Sequence, residues 1–285
     1  MVTVYHPALE GHHMRYARAV FQTALFVVSS ASIAVSQGMP TSQPSMLTIT
    51  REDVKTGHNA MHAAFEAGWP AAYTKAKSPY YYLAMVAMTG PNESWYVSPY
   101  ASHAAYGESM KMESDDKALT AEIARLQKGD ADHINSVRSM HAVARTDLSY
   151  GAYPDMAMAR FFEITIFRVR PGFEEGFASA AKAYAAAAKR AAPNMSWRTC
   201  EVIAGLPGPT YLVFSSVQSF AEFDRSMAQG MAIGKAFTPD ELATMEKFST
   251  AGMINAETQR FRVDPKQSYV DGPTKDKDKA FWNQK

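Results

Sequence analysis

The clearest alternation of apolar and polar positions lies in the second half of the chain. Arg160-Phe161-Phe162-Glu163-Ile164-Thr165-Ile166-Phe167-Arg168-Val169 is rich in β-branched and aromatic residues, which marks a strand, and Arg170-Pro171-Gly172 breaks it. From Phe173 to Ala192 the chain is Ala-rich, with Phe173, Phe177, Ala181 and Tyr184 at helical spacing, and Pro193-Asn194 stops that helix. Ser196–Ala204 and Thr210–Val217 read as strands around the turn Gly205-Leu206-Pro207-Gly208-Pro209. Ser219 with Glu222 three residues on predicts a capping box, opening a helical stretch that breaks near Thr238-Pro239 and resumes through Phe248. Asn255–Val263 is a last strand, so the order is βαββαβ.

The first half gives the same order with weaker strands. Met46–Lys55 is a strand, and His58–Lys77 a helix interrupted at Gly68-Trp69-Pro70. Tyr80–Met88 and Trp95–Tyr100 form a hairpin, His103 to about Arg138 is a long broken helical region, and Met140–Leu148 closes the unit. Sliding the chain on itself by 115 residues lays Ile49-Thr50 on Ile164-Thr165, Gly57 on Gly172, Gly90 on Gly205 and Tyr96 on Tyr211. The predicted class is α+β: two tandem ferredoxin-like βαββαβ units, 45–150 and 160–263, with antiparallel sheets packed face to face as an α/β barrel. Residues 264–285 form a polar tail, in which Lys275-Asp276-Lys277-Asp278-Lys279 predicts a solvated, frayed end.

The segment Phe162-Glu163-Ile164-Thr165-Ile166-Phe167-Arg168-Val169-Arg170-Pro171-Gly172-Phe173-Glu174 resembles the opening strand and Pro-Gly turn of NIPSNAP-like and antibiotic-biosynthesis-monooxygenase-like domains. With the repeat, residues 45–263 are similar to the dimeric α/β-barrel superfamily in fused, tandem-duplicated form. The first half departs from that motif, with Lys55-Thr56-Gly57-His58 at the turn. The resemblance marks architecture more than chemistry. Its monooxygenase branch implies cofactor-independent oxygenation by polar residues around a substrate, for which Trp95, Trp197, His103 and Asn194 are available. Its chlorite-dismutase-like branch implies haem on a His of the second unit, and here every His lies at or before His141.

Ahead of the repeat, Met14-Arg15-Tyr16-Ala17-Arg18 is basic, and Ala19–Val35 is uncharged and largely apolar, followed by a small-residue cut site after Ser36. That order predicts a secretory signal peptide over 1–36, with Met14 as the true start and 1–13 an over-extended frame, and places the protein in the periplasm or outside the cell. The competing reading is a retained anchor, but the run is diluted by Gln22, Thr23 and three serines. The balance of 29 basic and 28 acidic residues gives no overall attraction for nucleic acid. A single cysteine, Cys200, excludes an intrachain disulfide and a Cys-rich metal site.

Candidate chemistry is sparse. No phosphate or dinucleotide loop is present, so no cofactor is expected. His58 and His62 share a helix face that Glu66 continues. They are candidate metal ligands, but without a His-Glu-x-x-His motif or a Cys or Asp cluster the reading is a polar helix face and no metal. Tyr80, Tyr82 and Trp95 on the hairpin, with Glu163 and Thr165, are the candidate lining of a cavity between the sheets. Glu163, desolvated there, would be the candidate general base. If register reverses the hairpin, Tyr81 and Leu83 face inward instead. The leading function is an exported protein binding a small apolar or aromatic ligand between its sheets. The alternatives are a cofactor-independent monooxygenase-like enzyme, or an oligomerisation module whose sheet edges pair with a second copy. The expected partners are thus a small molecule or another copy, with no nucleic acid and no membrane span after cleavage.

Overall fold

The computed structural model describes residues 38–284, so the signal-peptide reading of 1–36 falls outside the described residues. The first half runs β1 (Met46–Val54), α1 (Asn59–Glu66), α2 (Gly68–Lys75), β2 (Leu83–Ala87), β3 (Glu93–Tyr100), α3 (His103–Asp115), α4 (Lys117–Asp130) and β4 (Ile134–Ala144). The second half runs β5 (Phe161–Val169), α5 (Glu174–Ala191), β6 (Arg198–Ala204), β7 (Thr210–Val217), α6 (Phe220–Lys235), α7 (Pro239–Lys247) and β8 (Met253–Val263). The closing strand of the first half starts at Ile134, earlier than its sequence pattern indicated, because α4 already ends at Asp130.

The strands form one closed antiparallel barrel in the order β1-β3-β2-β8-β5-β7-β6-β4. β2 pairs with β8 over Met85–Ala87, and β4 with β6 over His141–Ala144, so the two four-stranded segments join at both edges. Every strand is therefore paired on both sides, and the expectation of free edges open to a second copy is corrected: closure removes them.

Closure also decides which face of each strand is buried. The inner side meets only other inner sides, so apolar residues predominate there. Ile49, Leu83, Met85, Trp95, Ile164, Leu212 and Phe261 fill it. In β5 this is the Phe162, Ile164 and Ile166 face. The expectation that Glu163 and Thr165 line the interior is thus reversed: both lie on the outer face. There Arg260 Nε donates to Glu163 Oε2 at 2.9 Å, and Thr165 and Thr258 share a hydroxyl hydrogen bond of 2.9 Å. The hairpin takes its alternative register. Leu83, Trp95 and Val97 turn inward, while Tyr82 packs outward among Tyr73, Ala84 and Tyr269 beneath the helices. Tyr80 lies beside Tyr100, 5.9 Å away, outside the barrel.

A buried ion pair, Arg51 with Glu93, sits inside. Glu93 accepts from Arg51 Nη2 (2.6 Å), Trp95 Nε1 (2.8 Å) and Arg138 Nη2 (2.7 Å), so it is fully partnered where it would otherwise be costly. The tail is also a correction. It folds back through α8 (Gly272–Lys277) and α9 (Lys279–Trp282), and Trp282 is buried with its indole N–H on Ala157 O at 3.0 Å. Arg160 pairs with Asp278 and covers the Phe281 ring at 3.8 Å. The expected Ser219 capping box does not form, since Glu222 accepts from Gln218 N instead; Thr238 and Glu241 make that motif at α7.

Candidate metal centre

The outer face of β1 and β3 carries a converging group of buried polar side chains. Register sets Glu52 beside Ser94, and Thr50 beside Tyr96, all facing the helices. From α1, His62 and Glu66 project four residues apart onto the same spot, as helical spacing requires. Asp130, the last residue of α4, completes it. Two glycines let α4 come this close: a Cβ at Gly129 would lie 2.2 Å from the Phe65 ring, and one at Gly68 would lie 2.5 Å from Leu126.

One donor atom from each of Glu52, His62, Glu66 and Asp130 can be chosen so that all four lie within 4.8 Å of one another. Ligands bound at roughly 2.0–2.4 Å stand no farther apart than about twice that bond, so the spacing suits one shared ion. His62, Glu66 and Asp130 are buried, and Glu52 is largely so. His62 Nδ1–H donates to Asp130 Oδ2 at 2.9 Å, which fixes the tautomer and turns Nε2 toward Glu52 Oε2, 3.8 Å away. Ser94 Oγ lies 3.1 Å from Nε2, and Tyr96 donates its proton to Gln267 Oε1 at 3.1 Å.

Two of the oxygens are orphans. Glu52 Oε2 and Asp130 Oδ1 are buried with no hydrogen-bond partner, as are nearby Trp69 Nε1 and Tyr82 Oη. Buried polar atoms are normally paired, so the cluster calls for a cation or for protons. Burial pushes the Glu52 carboxyl up to about 7, opposed by His62 and reinforced by Asp130. Burial pushes Glu66 up to about 8, with the neighbouring Glu52 and Asp130 carboxyls adding to the rise.

The sequence-predicted residues are scattered over several places. His62 is in this cluster, but His58 is not: its Nδ1 lies 2.8 Å from His133 Nδ1, one helical turn away from His62. Trp95 is in the barrel core, Tyr82 in the helix layer, and Glu163, Thr165 and Tyr80 elsewhere on the outside. Trp197 stacks on Tyr150 and donates to Leu148 O, remote from Trp95. Sequence reading missed Glu52 and Asp130. Their only signal was a carboxylate on the polar side of a strand and another at a helix end.

No protein family is matched by the chain's sequence, and no curated protein is. Among solved structures, a candidate monooxygenase from Fusobacterium nucleatum subsp. nucleatum shares 10% identity over 78% of this chain and 93% of its own, with a TM-score of 0.52. An anthrone oxidase-like protein shares 11% over 80% and 94%, TM-score 0.49, and a chlorite dismutase variant from Candidatus Nitrospira defluvii 9% over 79% and 94%, TM-score 0.48. At these identities what the chain shares with the Fusobacterium protein is its fold.

Proposed function

We propose that this protein binds one divalent metal ion between the helices and the outer sheet face of its first half. His62 Nε2, Glu52 and Glu66 are the ligands, and Asp130 orients the imidazole and offers a fourth oxygen. The carrying observation is the set of four converging donors with Glu52 Oε2 and Asp130 Oδ1 buried and unpartnered. Three carboxyls and one imidazole favour Mn²⁺, Fe²⁺ or Zn²⁺ over soft Cu(I). Four protein donors leave room in a six-coordinate shell for small exogenous ligands, and a bound ion would act there as a Lewis acid. Ser94 would give up its hydrogen bond to Nε2 when the ion arrives. Titration calorimetry with each metal, followed by elemental analysis, tests the reading. One ion per chain, lost in His62→Ala and Glu52→Gln, is expected; binding that survives both substitutions overturns it.

The fold likeness to a candidate monooxygenase supports a second reading, oxygenation without a bound metal, in which His62 and Asp130 act as an acid–base pair. Oxygen consumption by metal-free protein would favour that reading. We read the halves as a duplicated ferredoxin-like unit, supported by strand orders β4-β1-β3-β2 and β8-β5-β7-β6 and by β1 and β5 starting 115 residues apart, at Met46 and Phe161. Residues 1–36 are proposed as an export signal. N-terminal sequencing of protein from the native host should start near Gln37, and retained Arg15 and Arg18 would refute it.

A further inference from the structure

A second site lies at one mouth of the barrel, away from the carboxylate cluster. A cavity of about 70 Å³ opens between the barrel wall, represented by Met85, Phe162 and Phe214, and two covering segments that contribute Met39 and Met156. One water needs roughly 10–15 Å³ on this measure, so about five waters fit. The cavity is about half the roughly 150 Å³ of a closed cavity that holds benzene, so a ring would enter here edge-first and keep part of itself in the open mouth.

The lining is apolar except for Arg198, Gln43 and Ser216. Arg198 sits on the inner face of β6, in step with Cys200 and Val202, where every other neighbour argues for an apolar residue. Its Nη2 is spent on three backbone carbonyls, Tyr150 O (2.5 Å), Gly151 O (2.6 Å) and Ala152 O (2.8 Å). Its Nε is buried with no partner. Among the described residues no carboxylate forms an ion pair with it. Gln43 is next in the lining: its amide N–H donates to Thr199 O at 2.9 Å, and its Oε1 is buried and unpartnered. A half-buried guanidinium without a counter-charge, at the edge of an apolar recess that opens at the barrel mouth, calls for an amphipathic anion.

We propose that the barrel mouth binds a single-ring aromatic carboxylate, its ring among Met85, Phe162 and Phe214 and its carboxylate accepting from Arg198 Nε–H. A ring hydroxyl would supply the donor that Gln43 Oε1 lacks. This site is independent of the metal reading, and its test is run in chelator so that the two can fail separately. It also changes the sequence-based picture of a ligand between the sheets: from β5 the cavity is lined by Phe162, not by Glu163 and Thr165.

The probe is benzoate, with 4-hydroxybenzoate and benzyl alcohol beside it, followed by methyl-methionine NMR of the wild-type protein. Benzoate should shift the Met39, Met85 and Met156 methyls and leave the exposed Met227 and Met231 of α6 unmoved. Benzyl alcohol should bind at least tenfold more weakly than benzoate, and 4-hydroxybenzoate more tightly. In Arg198→Gln the benzoate affinity should fall at least tenfold while that for benzyl alcohol holds. Absence of shifts at millimolar benzoate, shifts centred on Met227 and Met231, or equal benzoate affinity in the variant overturns the proposal. If Arg198→Gln does not fold, the wild-type shifts and Arg198→Lys decide.

Discussion

The two halves bury opposite chemistry where the first strand of each meets the helix that follows it. In the first, β1 sets Glu52 beside Ser94, and α1 lays His62 over them. In the second, β5 sets Phe167 beside Tyr211, and α5 lays Phe177 over them, 115 residues after His62. Phe177 stacks on Tyr211 with ring centroids 4.0 Å apart, and Phe248 closes the cluster near the place where Asp130 stands in the first half. The flanking turns match, with Gly57 at φ 85° and Gly172 at φ 88°. One scaffold therefore holds an apolar core on one side and three carboxyls with an imidazole on the other. Apolar residues at the second position show that packing alone does not require the polar group. A buried cluster of that kind costs stability unless it is neutralised, which points to retention for a ligand.

The strongest way to sharpen the contrast is to empty the apolar side. Phe177→Ala should lose about 3–5 kcal/mol in denaturant unfolding, with metal affinity unchanged. Next comes the polar side: Asp130→Asn should weaken metal binding roughly 10–100-fold in calorimetry, because Nδ1–H loses its carboxylate, while the metal-free fold persists. An equal effect of Phe177→Ala on metal affinity would break the distinction between the halves.

The pH dependence is a third test. Glu52 and Glu66 move from an ordinary 4.5 to about 7 and about 8 in the folded protein. Between 4.5 and about 8 the folded state holds more protons than the unfolded one, so metal-free stability falls as pH rises through that window. Metal affinity should rise over the same window, since ligands must be deprotonated. Glu66→Met should flatten part of the stability slope and raise the metal-free melting temperature. A slope unchanged by that substitution would mean the carboxyl is not where the protons go. The smallest effect belongs to the half-buried Glu163–Arg260 pair on the outer face, where Glu163→Gln should cost no more than about 1 kcal/mol.

The chain by itself determined the succession of elements. Helical spacing in Phe173–Ala192 and turn residues such as Pro171-Gly172 are local signals, and the observed strands follow such signals, except that β4 begins at Ile134, ahead of the Met140–Leu148 pattern. It also put His62 and Glu66 on one helix face. Tertiary structure decided the faces. A strand offers two sides, and only closure of the ring made the Ile164 side the interior and left Glu163 outside with Arg260. It likewise split His58 from His62, handing one to His133 and the other to Asp130. Glu52 and Asp130 stand 78 residues apart in sequence, and no periodicity joins them. They meet because β1 lies under α1 and because Gly129 lets α4 approach Phe65, a contact between distant segments that no local pattern encodes.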